Sequence, residues 1–213
     1  MAQLGFQESM SEISVVICVH NRMKFLAETL GILEKQTVAP EVIVVDDGEA
    51  WSLASWPCVQ TYIHQRPDGL YNRVAKFNLG VRLATTPIVI LLDDDCIPQS
   101  ADFCAAYLES SRDAYVVRGM FLDGADQKLT PWFSTANIGF ARGFFNELGG
   151  FDVRYDGRYG YEDVDMEKMI AMTNVTVNVG SAATAVLHVG ESFSGDRVAA
   201  QINERLYREK WGL

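Results

Sequence analysis

The stretch Ile88-Val89-Ile90-Leu91-Leu92-Asp93-Asp94-Asp95-Cys96-Ile97-Pro98 joins an apolar run directly to three adjacent carboxylates. Five apolar residues, three of them β-branched, predict a strand that is buried on both faces of a sheet. Three acids at its end repel one another and lose solvation, so a compensating group such as Mg²⁺ or Mn²⁺ is expected. If the backbone stays extended, Asp93 and Asp95 point to one face and Asp94 to the other. A solvated acidic turn, with one Asp capping the next helix, explains the segment equally well.

The composition indicates an acidic globular protein. The formal net charge is −10 over 213 residues, and no run of Lys or Arg occurs, so nucleic-acid binding through phosphate contacts is not expected. The length favours a single domain. No apolar run is long enough for a membrane span, and residues 1–12 do not have the pattern of a signal peptide. The four cysteines show no C-x-x-C spacing, which favours a cytoplasmic location.

Strand and helix patterns alternate in the first half of the chain. Ile13 to Val19 and Val42 to Val45 are strand-like, and an amphipathic helical pattern separates them. This is a βαβ unit, which implies a parallel sheet in an α/β fold. The polar residues that follow the strands are His20, Asn21, Asp47 and the Asp93–Asp95 triplet. Since ligands of open α/β sheets bind at the carboxyl ends of the strands, these residues are expected to face one crevice.

The remaining pattern predicts further elements, with residues 1–11 as a flexible tail. Strands are expected at Val59–Ile63 and Tyr115–Leu122, and helices at Asn72–Thr85, Ala101–Ser110, Gly143–Leu148 and Arg197–Trp211. On the Asn72–Thr85 helix, Arg73, Lys76 and Arg82 are expected to face outward, either as a solvated face or as phosphate contacts. The last helix is expected to pack through a stripe of Val198, Ile202 and Leu206, which can extend to Trp211.

Several segments occur in the order and spacing of the family 2 glycosyltransferases. They are Ile13-Ser14-Val15-Val16-Ile17 through His20-Asn21-Arg22, Gln36-Thr37, Val44-Val45-Asp46-Asp47-Gly48, Asn78-Leu79-Gly80 and Leu92-Asp93-Asp94-Asp95. The resemblance implies the GT-A fold, a single Rossmann-like domain with a mostly parallel central sheet flanked by helices. Residues 12–98 would form a nucleotide-sugar-binding half, and residues 99–213 an acceptor-binding and catalytic half.

The same resemblance implies a nucleotide-sugar donor and Mn²⁺ or Mg²⁺ bound through a D-x-D motif, with a UDP-sugar as the commonest donor for that motif. It places Cys18, His20 and Asp47 around the base, Asp94 near the ribose and Asp95 on the metal. His188, in Leu187-His188-Val189-Gly190, resembles the metal-binding His of many GT-A enzymes, although a hydrogen-bonded loop residue is the alternative. Arg22 and Lys76 are further expected donor contacts, and Asp93 is a further expected metal ligand.

The segment Tyr159-Gly160-Tyr161-Glu162-Asp163-Val164-Asp165 opens a predicted helix with a cluster of acids. Helix capping alone favours acids in a first turn. The spacing nevertheless resembles the W-G-x-E-D-x-D segment of GT-A transferases, which implies that Asp163 is the general base and that Glu162 orients the acceptor. The acceptor is expected to be a carbohydrate or another hydroxyl-bearing compound that contacts Trp132, Asn137 and Tyr161.

The sequence therefore predicts a metal-dependent, inverting glycosyltransferase. A sugar nucleotidyltransferase is an alternative, but it would need a glycine-rich, basic phosphate loop, and none follows Val19. A non-catalytic nucleotide- or carbohydrate-binding relative is the other alternative, against which the Glu162-Asp163 pair argues. The sequence does not predict the oligomeric state.

Overall fold

The computed structural model describes residues 11–49, 56–65, 72–122, 128–189 and 197–213, without the side chains of 197–199. The predicted tail lies outside these ranges apart from Ser11. The strands are β1 (Ile13–Val19), β2 (Glu41–Asp46), β3 (Val59–His64), β4 (Ile88–Asp93), β5 (Cys96–Pro98), β6 (Val116–Arg118), β7 (Met120–Leu122), β8 (Leu129–Pro131), β9 (Asn137–Ala141), β10 (Val177–Val179) and β11 (Ala185–His188). The helices are α1 (Met23–Leu33), α2 (Arg73–Leu83), α3 (Phe103–Ser110), α4 (Arg142–Glu147), α5 (Glu162–Ala171) and α6 (Arg197–Trp211).

A seven-stranded sheet in the order β10-β6-β9-β4-β1-β2-β3 forms the centre of the fold. Strand β1 lies between β2 and β4 and is parallel to both, with Val16 paired to Ile43 and Leu91. All seven residues of β1 are buried, as the continuous apolar run predicts. Strand β9 is antiparallel to both of its neighbours, β4 and β6. The mostly parallel α/β sheet that the sequence predicts is confirmed.

Two hydrophobic clusters cover the two faces of this sheet. Alternate residues of β1, beginning with Ile13 and Val15, join a cluster with apolar residues of α1 and α3. Val16 and Cys18 face the opposite side and pack with apolar residues of α2, α4 and α5. Because successive side chains of a strand point to opposite faces, a strand that is apolar at all positions except Ser14 contributes to both clusters.

The predicted strand from Tyr115 to Leu122 is two strands in two different sheets. β6 belongs to the central sheet, whereas β7 joins a four-stranded sheet in the order β5-β11-β7-β8. The chain changes sheets at Gly119, where a Cβ atom would lie 2.2 Å from the Tyr107 hydroxyl and 2.3 Å from Asn137 Nδ2. Only glycine permits this close approach at the point where the chain leaves one sheet for the other. The prediction of one continuous strand was therefore wrong here.

Two predictions about helix faces were also wrong. Lys76 is 4% exposed and the Arg73 side chain 11% exposed, because both turn toward carboxylates instead of solvent. Helix α6 has the predicted bounds, but Ile202 is 42% exposed, and Asn203 is the buried residue beside it. The Val198 side chain lies outside the described residues. Within the described ranges, none of the helices combines the length and apolar character needed to cross a bilayer.

The contact of α2 with the sheet depends on Gly80. A Cβ atom at this position would lie 2.1 Å from Val16 Cγ1 in the middle of β1. We expect Gly80→Ala to lower the free energy of unfolding by about 1–3 kcal/mol through overpacking. Gly143, in α4, faces open space, so Gly143→Ala should be neutral or stabilising by about 0.5–1 kcal/mol. Urea unfolding of the two variants measures both values, and equal effects would contradict the proposed close packing.

Candidate active site

A cavity of about 760 Å³ opens at the carboxyl ends of β1 and β4, a size typical of small-molecule sites. It brings together most of the residues that the sequence predicts. Of these, Cys18, His20, Arg22, Lys76, Asp93, Asp94, Asp95, Trp132, Glu162, Asp163 and His188 line the wall. Arg73, which the sequence offered as a phosphate contact, also lines it, and so do Phe121, Phe133 and Tyr159, for which the sequence predicted no site role.

One end of the cavity is built around the buried carboxylate of Asp47. Lys76 Nζ donates to Asp47 Oδ1 at 2.6 Å and to the Val19 carbonyl at 2.9 Å. His20 Nδ1 lies 3.0 Å from the same carboxylate oxygen, and about half of the imidazole side chain remains exposed. Asp47 and Lys76 therefore fix the orientation of a ring that faces the cavity. Burial raises the pKa of the Cys18 thiol, so Cys18 contributes an uncharged wall.

The turn after β2 depends on Asn21 and Gly48. Asn21 has a φ of 55° and its side-chain oxygen accepts from the Glu49 amide at 2.8 Å. A Cβ atom on Gly48 would lie 2.4 Å from that oxygen, so glycine is required for the two turns to meet. Asp46, by contrast, bonds to the Gly48 amide and the Tyr62 hydroxyl. Asp46 thus stabilises the turn, whereas Asp47 contacts His20 and Lys76 of the cavity wall.

The three acids after β4 make different contacts. Arg73 Nη2 donates to both oxygens of Asp93, at 2.7 and 2.8 Å. Asp94 and Asp95 lie in a turn between β4 and β5, where Arg22 forms an ion pair with Asp95 and lies 3.6 Å from Asp94. The backbone is therefore not extended through the triplet, so the condition on which the alternation of faces was expected is not met. Both Asp93 oxygens accept from Arg73, so the structure does not support the predicted metal-ligand role of Asp93.

Burial and mutual repulsion perturb the acids of this turn. Burial, together with the charges of Asp93 and Asp95, raises the pKa of Asp94 to about 8. Burial opposes ionisation of Asp95 as well, but the bond to His188 and the charge of Arg22 hold the pKa of Asp95 below its usual value. The same bond raises the pKa of His188. The site thus favours a bound positive charge.

Asp95 and His188 together suit a divalent cation. Asp95 Oδ1 is buried and has no hydrogen-bond partner among the described residues, and His188 Nε2 lies 3.5 Å from Asp95 Oδ2. Within the described residues no three His, Cys, Asp or Glu side chains form a ready-made metal cluster. Mn²⁺ or Mg²⁺ held by one or two carboxylates usually completes its coordination with phosphate oxygens and water. The donor set therefore fits a metal that is bound together with a diphosphate.

The acids Glu162 and Asp163 begin α5 and line the same cavity. Gly160 and Tyr161 precede them with φ values of 88° and 72°, so the chain enters the helix through two left-handed residues. Arg73 Nη1 donates to Glu162 Oε1 at 2.7 Å, while Asp163 Oδ1 accepts from the Val164 amide at 2.8 Å. Burial raises the pKa of both carboxyl groups, and Arg73 opposes the shift.

The three residues predicted to contact an acceptor lie in different places. Trp132 is 61% exposed and lines the cavity. Asn137 is fully buried, and its side chain bonds to the Tyr107 hydroxyl and to two backbone carbonyls, so its predicted acceptor role is corrected to a structural one. Tyr161 packs its ring against Tyr207 of α6 and does not line the cavity. Tyr159 occupies the cavity wall instead.

Helix α6 holds the segment that carries the two catalytic candidates. Asn203 Nδ2 donates to the carbonyls of Gly160 at 2.8 Å and Tyr155 at 3.1 Å. Lys210 Nζ and Trp211 Nε1 donate to the two oxygens of the buried Asp165, at 2.7 and 2.8 Å. The third acid of the Glu162-Asp163-Val164-Asp165 segment therefore anchors the last helix, whereas the first two face the cavity.

The comparisons with known proteins agree with this geometry. A family model described as glycosyl transferase family 2 matches residues 14–163, more than half of the chain. Validoxylamine A glucosyltransferase from Streptomyces hygroscopicus subsp. limoneus is 27% identical over 72% of this chain and 46% of its own length. The chain thus spans just under half the length of that relative.

Solved structures show the same fold. Mannosyltransferase PcManGT from Pyrobaculum calidifontis, in complex with GDP-Man and Mn²⁺, aligns with a TM-score of 0.65 at 18% identity, over 92% of this chain and 61% of its own. S. aureus TarS 1-349, in complex with UDP, aligns with a TM-score of 0.66 at 16% identity, over 83% of this chain and 60% of its own. On the match of the family model and the shared architecture, the chain belongs to glycosyl transferase family 2 and has the GT-A fold.

Proposed function

We propose that this protein is a metal-dependent, inverting glycosyltransferase that moves a sugar from a UDP-sugar to an acceptor hydroxyl. The observation that carries this proposal is the placement of two acid pairs, Asp94-Asp95 and Glu162-Asp163, on the wall of one cavity. Asp94-Asp95 is suited to binding the leaving diphosphate with its metal, and Glu162-Asp163 is suited to binding the attacking hydroxyl. Displacement from the face opposite the leaving group inverts the anomeric carbon.

The donor would bind at the end of the cavity formed by β1, β2 and β4. His20, oriented by Asp47, presents its ring to the base, and Asp94 bonds to the ribose. The complexes of PcManGT with GDP-Man and of TarS with UDP support a donor that contains a nucleoside diphosphate, although they differ in the base. Arg22, which contacts both Asp94 and Asp95, would donate to the phosphate oxygens.

Asp95 and His188 would hold the divalent metal. When bound, Mn²⁺ or Mg²⁺ supplies Lewis-acid stabilisation of the negative charge on the leaving diphosphate. Asp95 Oδ1 is buried and lacks a hydrogen-bond partner in the part of the chain that the structure describes, so a cation there would satisfy it.

Asp163 would act as general base toward the acceptor. A hydroxyl is a weak nucleophile, so a carboxylate must accept its proton as the bond to the anomeric carbon forms. Burial raises the pKa of Asp163, which makes its carboxylate a stronger base than an exposed aspartate. Glu162 is held by Arg73 and would orient the acceptor through a hydrogen bond. No covalent intermediate is needed.

The first test of this mechanism is the variant Asp163→Asn. We expect its transfer rate to fall by about 10²–10⁴-fold, since an amide cannot accept the proton, while thermal stabilisation by UDP and Mn²⁺ is retained. Glu167→Gln is the matched control, because Glu167 lies on the same helix but does not line the cavity. Transfer by Asp163→Asn at the wild-type rate would refute the assignment of the base.

The second test measures metal-dependent donor binding by thermal shift with UDP, GDP and their sugars, each with and without Mn²⁺. A ligand at 100 times its Kd stabilises the folded state by about 2.7 kcal/mol. We expect UDP to stabilise the wild type more with Mn²⁺, and Asp95→Asn to lose the metal-dependent part. Glu109→Gln, an exposed substitution on α3, should behave as wild type. No shift with any nucleotide, with or without metal, would favour a non-catalytic relative.

The third test concerns the positioning of the catalytic pair by α6. Asn203→Ala removes the donor to the Gly160 and Tyr155 carbonyls, and a buried polar group left unpaired costs about 1–3 kcal/mol. We expect a lower melting temperature and a lower kcat with an unchanged KM for the donor. Gln201→Ala on the exposed side of α6 is the control. A normal kcat, measured at a temperature where the variant is fully folded, would show that Asn203 acts on stability alone.

A further inference from the structure

The cavity wall beside the catalytic pair is aromatic and acidic. Phe121, Trp132, Phe133 and Tyr159 line it together with Glu162 and Asp163. The Phe121 and Trp132 rings contact each other, with centroids 5.9 Å apart and planes inclined by 32°. Burial raises the pKa of the Tyr159 hydroxyl, the charge of Arg73 opposes this shift, and the charges of Glu162 and Asp163 add to it. An acceptor that reaches Asp163 therefore meets flat apolar faces and carboxylates.

Arg73 is the basic residue that lies nearest the catalytic pair, whereas Lys76 and Arg22 belong to the proposed donor end of the cavity. Lys76 pairs with Asp47 at 2.6 Å, and Arg22 pairs with Asp95. Arg73 reaches the catalytic side but contacts Asp93 at 2.7 Å and Glu162 at 2.7 Å, so its charge is balanced by two carboxylates. Arg73 is thus the basic residue of the described cavity lining that lies beside the catalytic pair, while Arg118 lies 5.6 Å from the centroid of the Phe133 ring without lining the cavity.

This arrangement disfavours an acceptor that carries a phosphate or a carboxylate. Such a group would lie beside Asp93, Glu162 and Asp163 in a partly desolvated site, and the single positive charge of Arg73 is already shared between two of these carboxylates. A neutral ring instead packs its C–H face on the aromatic side chains, and a ring with an ammonium group gains attraction to both the aromatic faces and the carboxylates.

On the basis of the proposed function, we propose that the acceptor is a hydroxylated ring that is uncharged or carries a basic nitrogen, and that it stacks on Trp132. Trp132 suits this role because it is 61% exposed at the rim of the cavity while its indole is supported from one side by Phe121. Charge and the aromatic platform together would then select the acceptor class, and Asp163 would select the reacting hydroxyl.

The test compares four compounds with one ring: methyl glucoside, glucosamine, glucuronate and glucose 6-phosphate. Binding to the wild type is measured by saturation-transfer NMR and calorimetry, with and without UDP and Mn²⁺. We expect the first two to bind at least about tenfold more tightly than the two anions, a difference of about 1.4 kcal/mol. Trp132→Ala should weaken ring binding by about tenfold without changing the thermal shift produced by UDP and Mn²⁺.

A charge-gain variant tests the electrostatic part separately. Thr130 lines the cavity, so Thr130→Lys should improve glucuronate binding relative to methyl glucoside. Thr176→Lys places the same charge on an exposed residue outside the cavity and should leave the ratio unchanged.

Either of two results would overturn the acceptor proposal. One is Trp132-dependent binding of the anions that is as tight as that of methyl glucoside. The other is that no compound of the series binds in a Trp132-dependent manner at millimolar concentration. Both leave the thermal shift with UDP and Mn²⁺ intact, whereas failure of the proposed function would abolish that shift.

Discussion

The ion pairs of Arg73 are the interaction on which the rest of the site depends. This one guanidinium contacts Asp93 at the end of β4 and Glu162 at the start of α5. Removing one partner of a buried ion pair leaves an uncompensated charge and destabilises by about 3–5 kcal/mol. The two acid clusters can therefore approach each other only because a cation lies between them. Their separation, which the proposed chemistry uses, is set by that cation.

Other polar contacts join the same two parts of the chain around the start of α2. The Asp156 carboxylate accepts from the Val74 and Ala75 amides, at 2.9 Å each, and so caps the helix from a distant segment. Asn78 bonds in both directions to the backbone of Phe151. Such caps satisfy amides that a helix start otherwise leaves unpaired. Helix α2 thus couples the donor end of the cavity to the segment that leads to Glu162 and Asp163.

The features that depend on the local pattern of apolar and polar residues could be predicted from the sequence. The apolar runs of β1, β2 and β4 predict strands buried on both faces, and polar residues at their ends predict the crevice. The orientations of Arg73 and Lys76 could not be predicted, because the carboxylates that attract them lie on other elements. Asn137 was misassigned for the same reason, since its three partners come from separate elements.

The C-terminal helix shows most clearly why periodicity alone was insufficient. An apolar stripe predicts the buried face only when burial of apolar area drives docking. Helix α6 docks instead through Asn203, Lys210 and Trp211, which bond to backbone carbonyls and to Asp165. Asp165 lies one turn inside α5, so the residue that fixes α6 belongs to the same short segment as Glu162 and Asp163. The acids of this segment therefore have two different roles. Glu162 and Asp163 face the cavity, whereas Asp165 binds the helix that holds the segment in place.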